Sequence, residues 1–199
     1  MNKNIVLSFG LFLGAAANAA TCTYKLDPSS TKVGWTAFKT MKKVGVNGSF
    51  EKFAVNGENT ADSFKKLAEG LTVVIDRNSA KTGDPARDAT LKMAFFGKLP
   101  TSNIEGRLAD VKGDDKSGTA TLNLTVDGKI KPVAMKYSTE TDGTLQAVGS
   151  IDMIEMGMSA AFDSLHKACR ALHTGADGVS KTWTDVVVTL KGKIAKDCK

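Results

Sequence analysis

Histidine is nearly absent from this chain, with two residues in 199, and cysteine, at three, is almost as scarce. A structural metal centre usually wants four ligands, so these counts leave little material for one. Motifs of the common enzyme classes are missing too: there is no Gly-x-Ser-x-Gly elbow, no P-loop and no dinucleotide glycine pattern after a strand. The chain is accordingly read as a non-enzyme. No stretch reaches the roughly 18 to 20 consecutive apolar residues of a spanning helix. Lysines stand singly among carboxylates, never as a basic stripe interleaved with aromatics, which argues against nucleic acid.

What is present begins with a leader. Lys3 supplies a short positive region, Ile5 to Ala17 an apolar run, and Ala17-Asn18-Ala19 a small-x-small cleavage site. Residues 1–19 are therefore expected to direct export and be removed. Cys22 invites a lipoprotein reading, but Ala19-Ala20-Thr21 lacks the Leu and the small neighbour that lipid attachment favours. Residues 20–199 remain as one domain, long enough for a substantial core. Composition is that of a globular protein, 42% hydrophobic and 24% charged, with a formal charge of +6. That charge supports at most a mild attraction to an anionic membrane surface or an anionic ligand head, so a transient membrane-surface contact is expected at most, with the protein a monomer or homodimer.

Alternation with a period of two dominates. Ala120, Leu122, Leu124 and Val126 alternate with polar neighbours; Asp127-Gly128 then turns the chain into Val133, Met135 and Tyr137; Asp142-Gly143 turns it again into Leu145, Ala147, Gly149 and Ile151. Asp-Gly between alternating runs is a strong hairpin signal, so the three runs form a meander. Val33 to Ala37, Val46 to Val55, Leu71 to Ile75, Asn103 to Val111 and Trp183 to Ile194 add five strands. About eight antiparallel strands suggest a barrel or a sandwich. Asp84 followed by Pro85 opens a short helix. Ser159 to His173 reads as a second helix of about four turns, whose stripe of Ala161, Phe162, Leu165, Ala168, Ala171 and Leu172 should lie against the strands.

The run from Ile75-Asp76-Arg77-Asn78-Ser79 through Thr82-Gly83-Asp84-Pro85-Ala86-Arg87-Asp88 to Leu91, with Phe95-Phe96 after it, resembles the IDxxSxxTGxxxRDxxL stretch and aromatic pair of the YceI-like family. Tyr24 to Ser30 with Val33 to Phe38, Gly48 to Phe53, Leu124 to Val133 and Met153 to Met158 follow in the family's order. Two features depart from the pattern: Pro28-Ser29-Ser30 replaces a usual His, and Ser159 to His173 is longer than the usual loop. The resemblance implies an all-β, lipocalin-like barrel with one or two short helices at its rim, located in the periplasm. Its apolar interior would hold an isoprenoid, quinone-like or fatty lipid, with no other cofactor and no catalysis.

The apolar strand phases place Trp35, Phe50, Val73, Leu122, Leu124, Val133, Met135, Leu145, Val186 and Val188 toward a common interior. Ala37, Gly48, Gly106, Ala147 and Gly149 on inward faces would leave room there. Arg87, Leu91 and Phe95 from the first helix, and Met153 and Met158 as flexible lining, complete the expected ligand set. Arg87, flanked by Asp84 and Asp88, either braces the helix or meets an anionic head. A barrel also sets the first strand beside the last, so Cys22 is expected to pair with Cys198 and leave Cys169 free. His166, Cys169 and His173 fall on one helix face and offer a metal- or haem-binding redox reading. A ligand-free envelope stress domain with a filled core is the third alternative.

Overall fold

The computed structural model describes residues 21–199; the leader read at residues 1–19 lies outside the described residues. Eleven strands are β1 (Cys22–Lys39), β2 (Val44–Phe50), β3 (Phe53–Asn56), β4 (Thr60–Ala61), β5 (Thr72–Asp76), β6 (Ala80–Lys81), β7 (Asn103–Gly113), β8 (Ser117–Val126), β9 (Lys129–Thr139), β10 (Thr144–Asp152) and β11 (Thr182–Cys198). All pairings are antiparallel, in the order β3-β5-β7-β8-β9-β10-β11-β1-β2-β6, with β4 added beside β1. Only Glu51 and Lys52 separate β2, next to the two-residue β6 that closes one end of this path, from β3, at the other end. The sheet therefore curls until its ends meet through one bent strand, and β2 with β3 then counts as the eighth stave of the expected barrel.

The run Val46 to Val55 is thus broken at a corner rather than continuous. There Glu51 N–H donates to Ser79 O (3.1 Å), Lys52 N–H to Ser79 Oγ (3.0 Å), and Asp76 N–H to Lys52 O (3.0 Å). Elsewhere the hairpin chemistry holds. Asp127 and Gly128 both take positive φ, 54° and 68°, as a tight two-residue turn between twisted strands requires.

Three helices accompany the sheet: α1 (Phe64–Gly70), α2 (Pro85–Ala94) and α3 (Ser159–Ala168). Helix α2 opens as expected, with Asp84 Oδ1 accepting from Ala86 N–H and Arg87 N–H. Helix α1 is an addition; Ser63 caps it and Phe64, Leu67 and Ala68 are buried. The second expected helix stops five residues early. After Cys169 the chain bends into a short turn at Ala171–His173, because Lys181 N–H donates to His173 O (3.2 Å) and Ser180 Oγ donates to Arg170 O (2.9 Å). Pairing with residues 180–181 draws it out of the helix, which leaves Ala168, Ala171 and Leu172 exposed while Ala161 alone of the expected stripe is fully buried.

The two ends of the barrel differ. At one, Cys22 and Cys198 face each other across β1 and β11 and are joined by a disulfide, while Cys169 stays free and buried. Helix α1 plugs this end: Phe64 packs on Tyr24 and Tyr137, and Tyr137 Oη donates to Asp114 O (2.7 Å). The opposite end carries the β1–β2 and β8–β9 turns, α2 and α3.

Candidate functional site

A cavity of about 520 Å³ runs inside the barrel. Leu26, Thr31, Leu67 and Gly192 form its floor beside the plug, and Lys39, Arg87, Leu172 and His173 stand at its mouth under α2 and α3. From Thr31 to Lys39 along β1 is about 26 Å at the usual strand rise. That volume spread over such a length gives a slender, mostly apolar channel, within the size range of small-molecule sites.

Of the residues expected to line it, Trp35, Phe50, Val73, Arg87, Leu91, Phe95, Leu122, Leu124, Met135, Met153, Met158, Val186 and Val188 all border the cavity. Val133 and Leu145 lie in the adjoining core, and Leu145 also reaches the cavity wall. Ala147 does not border it. It is 2% exposed, facing Tyr137 and Leu190 on the neighbouring strands, in the filled part of the interior. Gly106 borders the cavity as expected, but the expectation that Gly48 and Gly149 leave room is corrected in the same way. A Cβ on Gly48 would lie 2.2 Å from the Trp35 ring and one on Gly149 2.3 Å from Met135 Sδ, so larger side chains opposite already occupy that space. Ile104, Leu108, Leu190 and Ile194 also border the cavity. Ile104 and Leu108 share a strand phase with Gly106, a signal open to period-two counting.

The stretch from Asp76 to Leu91 proves to be the bracket that seats α2 over the mouth. Asp76 Oδ1 accepts from Asn78 N–H (2.9 Å), and Ser79 Oγ donates to Asp76 O (2.7 Å). Thr82 donates to Asp88 Oδ1 from both its backbone N–H (2.8 Å) and its hydroxyl (2.7 Å), which lowers the Asp88 pKa from its ordinary value. Arg77 donates to Leu99 O on the far side of the helix. Held in this way, α2 turns Ala86, Arg87, Thr90 and Leu91 toward the cavity. Arg87 lies 3.4 Å from Asp84 and its side chain stays 40% exposed.

Beside the mouth, the Nδ1 atoms of His166 and His173 converge on the hydroxyl of buried Thr182, at 2.9 and 2.6 Å. Cys169 is buried, and burial pushes its thiol pKa up, which disfavours the reactive thiolate. Among the described residues no group of three or more His, Cys, Asp or Glu is placed to hold a metal ion. Both rings spend one nitrogen on the threonine instead. Burial, then the charges of Lys39 and His166, depresses the His173 pKa. A folded-state value below the unfolded one of about 6.5 contributes stability that is present above that pH and lost as pH falls through the folded value. The melting temperature should therefore decline as pH drops below about 6.5, before carboxylate titration begins near 4. His173→Gln should flatten that part of the profile; an unchanged slope would remove His173 as its cause.

A curled antiparallel barrel with a long apolar interior and short helices over its mouth belongs to the lipocalin-like class of folds. The chain belongs to the YceI-like domain family, whose profile matches residues 24–191. It is 33% identical over 136 residues to a UPF0312 protein of Pseudomonas paraeruginosa, covering 65% of this chain and 68% of the relative. With a UPF0312 protein of Yersinia enterocolitica it shares 32% over 144 residues, 68% of this chain and 71% of the relative. Among solved structures, a polyisoprenoid binding domain from Saccharophagus degradans implicated in plant cell wall breakdown matches with a TM-score of 0.57 and 15% identity, covering 87% of this chain and 98% of that one. Burkholderia cenocepacia BcnA matches with a TM-score of 0.57 and 18% identity, over 85% of this chain and 99% of that one. These structural likenesses establish the fold.

Proposed function

We propose that this protein is an exported, periplasmic, non-enzymatic carrier or sequestering protein that holds one long-chain isoprenoid, quinone-like or fatty lipid inside its barrel. The observation that carries the reading is the slender apolar cavity of about 520 Å³, bordered by residues of nearly every long strand. The polyisoprenoid binding domain of Saccharophagus degradans shares the fold and lends the lipid class support. Energetics favour a long chain over a short one. Burying ten methylenes contributes about 8 kcal/mol at ~0.8 kcal/mol each, and association costs of several kcal/mol offset much of that. Short chains would therefore leave, and affinity should climb with length until the channel is full. Native mass spectrometry of protein purified from an envelope fraction tests the reading: a co-purifying apolar mass is expected, and a bare polypeptide that also fails to take up long-chain lipid in vitro would refute it.

Arg87 stands at the mouth, where a guanidinium can meet an anionic head. Its bridge to Asp84 is solvent-exposed, and such pairs contribute only about 0 to 1 kcal/mol. Arg87→Ala should accordingly leave the melting temperature within a few degrees of wild type while weakening retention of a prenyl phosphate severalfold. Retention of a neutral prenyl alcohol should not change. Equal loss for both ligands, or loss that merely tracks thermal stability, would assign Arg87 to bracing the helix.

A further inference from the structure

The mouth end and the plugged end expose different chemistry. All the markedly exposed large apolar side chains of the described residues lie in mouth-end segments, from Met41 and Val44 at the β1–β2 turn, through Met93 on α2, to Leu172 after α3. Met93 and Leu172 are each 71% exposed. The turns at the plugged end, residues 113–117 and 139–144, and the paired chain ends contribute none. An exposed cation accompanies the most prominent of these residues: Lys42 follows Met41, Lys92 precedes Met93, Lys129 precedes Ile130, and Arg170 stands two before Leu172. Ile154, beside Glu155, and Val179, two after Asp177, lie outside this pattern. Leu172 is at once exposed and part of the cavity wall, so the patch is continuous with the opening.

We propose that this end docks on an anionic lipid surface, with Met41, Met93 and Leu172 entering the head-group boundary and Lys42, Lys92 and Arg170 meeting lipid phosphates. Separate apolar fingers interleaved with cations suit an interface that is soft and negatively charged. A protein partner would instead favour aromatic anchors and few lysines, whereas the markedly exposed apolar side chains here are aliphatic or thioether, and Lys43 covers the rim aromatics Phe38 and Trp183. The purpose of docking rests on the lipid-carrier reading, since it would set the mouth against the membrane that supplies or receives the chain. The binding itself does not.

Vesicle co-sedimentation tests it. Wild type should bind phosphatidylglycerol-containing vesicles well above pure phosphatidylcholine ones, and more weakly as salt rises, because exposed charges are screened. Each lysine near such a surface is worth about fivefold in binding, and glutamate adds a repelling charge besides, so Lys42→Glu with Lys92→Glu should reduce it by more than about thirtyfold. Met41→Asp with Met93→Asp should reduce binding to both vesicle types at unchanged melting temperature. Lys65→Glu with Lys116→Glu, at the plugged end, should bind as wild type does. Absence of wild-type binding, indifference to vesicle charge, or equal loss in the plugged-end control would overturn the proposal. Uptake of a fluorescent polyene fatty acid, followed in parallel without vesicles, keeps the two readings apart: failed uptake with intact docking overturns the carrier, and failed docking with intact uptake overturns only the docking face.

Discussion

Replacing Cys22 and Cys198 by serine is expected to lower the melting temperature by about 10 °C, the largest stability change we foresee for any surface-end substitution. The bridge spans 176 positions, so it closes nearly the whole domain into a loop. In the chain-entropy account a loop of that length stabilises by up to about 5 kcal/mol, and residual order in the unfolded chain brings the working value nearer 3 to 4. For a domain of this size each kcal/mol shifts the midpoint by about 2 to 4 °C. The reduced variant should still fold. β1 and β11 remain paired from Thr23 with Asp197 inward, and Thr21 and Lys199 exchange backbone hydrogen bonds beyond the bridge. Thermal melts of the oxidised wild type and the double serine variant decide; coincident curves would mean that strand pairing alone carries this end.

The second large effect separates space from packing. Ala37 borders the cavity between Val46 and Val186, whereas Ala147 sits in the filled region between Tyr137 and Leu190. Ala37→Phe should reduce retention of a long-chain lipid by at least about tenfold, some 1.4 kcal/mol, with little change in melting temperature, since its ring would take the ligand's place. Ala147→Phe should do the reverse in part: overpacking costs about 1 to 3 kcal/mol, and ligand loss should follow only from the distorted wall. Paired calorimetry and ligand-uptake measurements on the two variants check this. If both destabilise alike, the channel is packed tightly enough to behave as core, and the carrier reading loses its basis.

The meander β8–β10 was legible because turn chemistry and alternation agree there, and agreement between local and global signals is what makes a strand readable. The full reach of β1 was not. Asp27-Pro28-Ser29-Ser30 has the composition of a turn, yet in the fold it is a bulge within one long strand. Asp27 Oδ1 accepts from Ser29 N–H (2.9 Å) and Ser29 Oγ (2.7 Å), and Ser30 Oγ accepts from Lys193 N–H (2.7 Å), standing in for the ladder. Helix α1 escaped notice because two turns give too little periodicity to count. The early end of α3 depends on residues 180–181, which lie beyond any local window. Strand phase was enough to find most of the cavity wall, Val73 and Val188 included. It could not distinguish Ala37 from Ala147: both point inward, and only the bulk of the side chains opposite decides which one borders empty space.

Thr21 and Lys199 are paired in the structure at the end farthest from the opening. The molecule therefore has a handle and a spout on opposite sides. A fusion partner, affinity tag or immobilising linker attached at Thr21 or Lys199 would hold the barrel from behind and leave its opening directed outward. Any surface that grips the chain at Thr21 would, for the same reason, face the closed end and present the opening to the solution rather than to itself.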